Sequence, residues 1–167
     1  MRFPDGSEYL VLDSPADAER QPLVMEFRLE PGCAAPPPHV HPRGQRETFE
    51  VVEGAFELRH GRDWHRLEAG QSLTVEPGEV HTFRNHEAER VVVRNVHDPA
   101  HSFERYIRRV HAMAVEHGFT SISPKASVYY AMLMREHRDT IVTAGPLRAP
   151  MAALAGIGRA LRLRLPD

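Results

Sequence analysis

Four side chains with metal-ligating chemistry stand at spacings that an extended chain turns to one side. His39 and His41 are two residues apart, so an extended backbone points both imidazoles to the same face. Further on, Glu47, Phe49 and Val51 alternate with Thr48 and Glu50. Phe49 and Val51 must face a core, so Glu47 faces inward with them. A carboxylate there is costly unless it is paired or bound to a metal. By the same parity His81 points inward with Phe83. Three imidazoles and one carboxylate brought together suit Fe, Mn, Ni, Cu or Zn, and leave coordination positions open for water or substrate.

These side chains need strands to position them, and residues 1–97 read as β structure. Short runs rich in Val, Leu and Phe fall at 9–12, 23–29, 48–52, 56–59, 64–67, 73–75, 81–83 and 91–96. Gly, Pro, Asn or Asp separates them at the spacing of a sandwich or barrel. No interval holds a crossover helix, so the sheets should be antiparallel. Residues 98–167 read as helical. In 102–117 the apolar residues Phe103, Tyr106, Ile107, Val110 and Ala114 share a helical face, and Gly118 follows as a C-cap. Asp98-Pro99 offers an earlier start for this helix. A second helix is expected from Ser123-Pro124 to about Asp139, and a third within 147–163. In the third, Met151, Leu154, Leu161 and Leu165 fall on one side and Arg148, Arg159 and Arg162 on the other, with Gly156 and Gly158 weakening it.

The two ligand-bearing segments resemble the two motifs of the cupin superfamily. Gly32, His39, His41, Glu47 and Gly54 follow the first motif, and Gly70, Pro77, Gly78, His81 and Asn85 the second. The resemblance spans roughly residues 25–97. It implies a mainly β fold, an antiparallel double-sheet jelly-roll barrel at 1–97, here with a C-terminal α-helical extension at 98–167 packed on it. It also implies one divalent transition metal ion per chain (Fe, Mn, Ni, Zn or Cu), ligated by His39, His41, Glu47 and His81. The loops from Gly32 to His39 and from His41 to Glu47 are longer than the usual pattern. If Glu47 is displaced, Gln45 or a three-histidine site is the alternative.

Other residues have plainer readings. Cys33 reads as a small packed side chain in a stiff Pro-rich segment. Asn85 closes the turn after its strand. His97 ends the last strand, where it is within reach of the pocket, and its plainer reading is a surface or helix-packing residue. Arg43, Arg46 and Arg84 read as solvated charge. Phe49, Val51, Phe56, Leu58, Leu73, Val75 and Phe83 should line an apolar substrate pocket.

Composition narrows the function classes. The chain has 167 residues with 21 basic and 23 acidic side chains, which argues against a general nucleic-acid binder. Its single cysteine excludes a disulfide scaffold. No apolar run approaches a membrane span, and Met1-Arg2-Phe3-Pro4 opens no signal-peptide core, so a cytoplasmic protein without membrane or nucleic-acid partners is expected. The expected activity is that of a metal enzyme on a small, largely apolar organic molecule, of dioxygenase or isomerase/cyclase type, with Glu47 as ligand and base. The alternative is a non-catalytic cupin that binds a small effector or metal. A homodimer is expected in either case.

Overall fold

The computed structural model describes residues 1–166, and its β portion forms two facing antiparallel sheets of five strands. Their alternation explains why. In β2 (Leu23–Leu29) every odd residue is buried: Leu23, Met25, Phe27 and Leu29. In β9 (Val91–Asp98) the inward series is Val91, Val93, Asn95 and His97. One sheet has the order β1 (Glu8–Asp13), β2, β9, β4 (Arg46–Glu53), β7 (Ser72–Val75). The other runs β10 (Val142–Thr143), β3 (His39–Val40), β8 (His81–Arg84), β5 (Ala55–His60), β6 (Asp63–Glu68). Phe49, Val51, Phe56, Leu58 and Val75 are almost completely buried in the core between the sheets.

The strands predicted from the sequence are all present, most of them a residue or two longer, and the two-sheet barrel followed by helices has the expected class. Two short strands escaped sequence reading. β3 lies in the Pro-rich stretch, and β10 lies in the segment expected to be helical. β10 pairs with β3, placing Val142 opposite Val40 and Thr143 opposite His39. Hydrophobic periodicity needs four or more residues to show, and a two-residue strand has none.

The first helix, α1 (Phe103–His117), buries the predicted face of Phe103, Tyr106, Ile107, Val110 and Ala114, and ends at Gly118. That glycine takes the left-handed conformation at φ 64° and donates to the Ala114 and Val115 carbonyls. The chain does not begin this helix at Asp98. Asp98 ends β9 and residues 99–102 turn, with the Ala100 and His101 amides bonded to the Gln21 and Ala18 carbonyls. In α2 (Pro124–Glu136) the Ser123 hydroxyl caps the Ala126 amide at 3.1 Å.

The third helix, α3 (Arg148–Ala160), buries Ala155 and Gly158 against α2; of the expected stripe Met151, Leu154 and Leu165 pack against the same cluster, while Leu161 lies past the helix end and is 65% exposed. Gly158 weakens the helix but permits the approach, because a Cβ there would collide with the Met132 and Val128 side chains.

Gln45 ties the two halves together. It is fully buried; its amide donates to the Pro99 and Ala100 carbonyls at 2.7 and 2.8 Å, and its oxygen accepts from the Thr140 hydroxyl at 2.7 Å. Gln45→Ala leaves the buried Pro99 carbonyl and Thr140 hydroxyl without partners and should destabilise the protein by about 2–4 kcal/mol. The check is a urea titration, where the midpoint falls at unchanged slope.

Candidate metal centre

The strand register brings His39, His41, Glu47 and His81 together from both sheets. β3 and β8 set His39 opposite His81, and β4 and β9 set Glu47 opposite His97. His41 follows directly on β3. One ligating atom from each of the four residues His39, His41, Glu47 and His81 lies within 4.8 Å of the others, and all four side chains are buried. Gln45 stays outside this group, held by its backbone and Thr140 bonds.

Backbone carbonyls orient all three rings. Each accepts from a ring Nδ1: Pro37 from His39 at 2.9 Å, Glu79 from His81 at 3.1 Å, and Thr140 from His41. A carbonyl can only accept, so each Nδ1 carries a proton. In a neutral ring Nε2 is then a bare lone pair. Yet Nε2 of His41 and of His81 lie 3.0 and 2.7 Å from the same oxygen, Glu47 Oε2. Lone pairs therefore meet a carboxylate oxygen with no proton between them. A divalent cation resolves both contacts at once, so the donor set fits a metal. Two buried imidazoliums would leave net positive charge away from water.

Two residues that sequence reading did not assign to the site complete its surroundings. Asn95, fully buried on β9, donates Nδ2 to Glu47 Oε1 at 2.8 Å. His97, also fully buried, approaches the same oxygen at 3.2 Å without hydrogen-bond geometry and stacks on Phe103 with ring centroids 3.4 Å apart. Inward parity along β9 from Val91 and Val93 was the signal for both. Asn85 does not reach the site. It bonds the Leu29 and Glu89 carbonyls and the Glu87 amide, closing a turn. Cys33 is buried, and burial pushes its thiol up to about 11. Arg43, Arg46 and Arg84 pair with Glu19, Asp98 and Glu57 near the surface.

The cavity beside this cluster has a volume of about 80 Å³. His39 and Glu47 form part of its wall. Of the seven side chains expected to line it, only Phe83 does. Phe49, Val51, Phe56, Leu58 and Val75 are spent filling the barrel, and Leu73 packs against that core. The lining comes instead from the barrel mouth and from α1 and α2, with Phe27, Phe103, Ile107 and Tyr130 among it. A barrel this small is filled by its own inward side chains, so open space remains only at its mouth.

Charges in the cluster are strongly coupled to burial. Burial works against the Glu47 carboxylate, but the facing imidazoles of His97, His41 and His81 outweigh it and hold the acid well below its usual range. Burial lowers His39 well below the usual imidazole value, helped by His81 and His41. It also lowers His97, to about 4, against the pull of Glu47.

Comparison with known proteins agrees with the fold. Residues 25–97 match the cupin domain family. A Klebsiella pneumoniae protein with a double-stranded β-helix domain is 26% identical, over 56% of this chain and 77% of its own, at a TM-score of 0.47. A Thermus thermophilus protein is 24% identical, over 59% and 90%, at 0.51. A predicted oxalate decarboxylase from Thermotoga maritima is 20% identical, over 55% and 79%, at 0.50. No curated protein matches the chain significantly. Among the described residues no helix is long and apolar enough to cross a membrane.

Acid should weaken the metal-free protein. Between pH 6.5 and about 4 the unfolded chain binds protons that buried His39 and His97 refuse, so stability falls as pH drops through that window. Glu47 adds in the same direction below its unfolded value. Thermal melts of chelator-treated protein should lose about 5–10 °C from pH 7 to pH 5. A melting temperature that stays flat or rises over this range contradicts buried neutral imidazoles.

Proposed function

Residues 25–97 being a cupin domain, we propose that the chain holds one divalent transition metal at His39, His41, Glu47 and His81 and acts on a small, largely apolar organic molecule bound beside it. The observation that carries this reading is the convergence of the His41 and His81 lone pairs on Glu47 Oε2. When bound, such a metal supplies Lewis acidity toward a carbonyl or enol oxygen and, if it is redox-active, access to oxygen chemistry.

The chain's own residues do the rest. Three backbone carbonyls fix the imidazole tautomers, which keeps each Nε2 free to ligate. Asn95 holds Glu47 Oε1 in place and favours the ionised form. Because Glu47 also forms part of the cavity wall, its carboxylate is placed to accept a proton from a bound molecule. Phe103, Ile107 and Val110 of α1 form part of the same cavity wall and make it apolar. A redox-neutral isomerase or cyclase and a dioxygenase both suit this arrangement. A cupin that only captures its ligand would share the site without turnover. The proposed assembly is a homodimer, supported by the exposed Leu147, Ile157 and Leu161 around α3.

Protein purified without chelator should contain about one equivalent of Fe, Mn, Ni, Cu or Zn by elemental analysis, and His81→Ala should lose it. Asn95→Ala should keep the fold and weaken metal affinity by about 10–100-fold, because it frees Glu47 from its orienting donor. Protein that remains metal-free after reconstitution with each metal would overturn the reading.

A further inference from the structure

A second polar cluster lines the cavity and takes no part in the metal centre. Tyr9 of β1, Tyr106 of α1 and Tyr130 of α2 all border it, as does Asp5. Tyr9 and Tyr106 are more than nine-tenths buried. None of the three hydroxyls is hydrogen-bonded among the described residues, and none counts among the sealed, unpartnered polar atoms, so they remain open to a ligand in the cavity they border. Burial raises all three phenols, Tyr130 to about 12, so they remain O–H donors throughout the neutral range. Asp5 is already engaged, since its two oxygens accept the Ser7 and Ala34 amides at 2.9 and 3.2 Å.

Charge decides what those donors can hold. The cavity wall contains two carboxylates, Asp5 and Glu47, and no lysine or arginine. At the tyrosines, where Asp5 is the neighbouring carboxylate and no lysine or arginine lines the wall, a phosphate or carboxylate group would be buried beside a like charge. A neutral oxygen carries no such penalty. The remaining wall is apolar, with Phe27, Phe83, Ile107 and Ile141, and the volume of about 80 Å³ admits only a compact molecule.

We propose that this cavity holds a compact organic molecule by a neutral carbonyl or hydroxyl oxygen, hydrogen-bonded by Tyr106 and Tyr130, with the hydrocarbon body against the apolar wall. This rests on the reading of the cavity as the substrate site. It makes the tyrosines specificity-determining residues supplied largely by the helical extension.

The test uses chelator-treated full-length protein labelled at isoleucine methyl groups, so that Ile107 and Ile141 report occupancy of the cavity by NMR. Cyclopentanone and methylenecyclopentane have nearly the same shape, and only the ketone has an acceptor. Cyclopentanone should shift both methyls and bind about fivefold more tightly than the alkene. Tyr106→Phe/Tyr130→Phe should abolish that preference and leave the alkene affinity unchanged. Equal affinities in the unsubstituted protein would overturn the proposal without reference to any variant. So would a ketone preference that survives the double substitution, or tightest binding by cyclopentanecarboxylate. Because the measurement is made without metal, failure to load metal overturns the proposed function alone, and loss of the ketone preference overturns this inference alone.

Discussion

A single buried carboxylate imposes the demands that the rest of this structure answers. Glu47 sits on β4 at a position where parity allows only an inward side chain. An ion buried there needs compensation from several directions at once. Asn95 supplies part of it by donating to Oε1 from the neighbouring strand, and the lone pairs that His41 and His81 turn on Oε2 from the opposite sheet leave the rest to a cation. Away from this cluster the interior is held by ordinary packing of Phe49, Phe56 and Leu58. Specificity of register follows from the same demand, because a one-residue slip of β4 would turn Glu47 to solvent and Thr48 to the imidazoles.

The backbone carbonyls of Pro37, Glu79 and Thr140 give the cluster its chemical sense. Without them each imidazole could place its proton on either nitrogen. With them the proton is committed to the outer nitrogen and the inner one is left as a donor pair. Pro37 and Glu79 lie two residues from the rings they orient, whereas Thr140 lies ninety-nine residues from His41. Two of the three orienting contacts are thus local products of strand geometry, and the third belongs to the far end of the chain.

That difference explains what the sequence disclosed. His39, His41, Glu47 and His81 were legible because strand parity and residue type act over a few positions, and the resemblance to cupin motifs rests on the same short spacings. The helices were legible from the single apolar face of α1 and from Gly118 and Ser123 at their ends. What escaped depends on tertiary pairing. β10 is two residues long and exists only because β3 is beside it. The pocket lining was misplaced because parity tells which side chains face inward, not which of them are used up in filling the interior. Phe49 and Val51 face inward and fill space, while Tyr106 and Tyr130 lie on helices and border it. His97 was within reach of the parity argument, but its neighbours Phe103 and Glu47 come from separate elements.

The bond from His41 to Thr140 has a consequence for the life of the chain before it is complete. A ribosome releases the N-terminal strands first, so the barrel's own residues can begin to pair while α2 and β10 are still unsynthesised. At that stage His39, Glu47 and His81 have their partners, but His41 lacks the carbonyl that sets its tautomer, and β3 lacks its neighbour on the sheet edge. The nascent barrel thus carries an unfinished cluster with a free edge strand, a state open to mispairing. Closure of β10 ends that interval. The third ring of the centre is oriented only once the chain has been made through Thr140, and β3 gains its edge partner only with Val142 and Thr143.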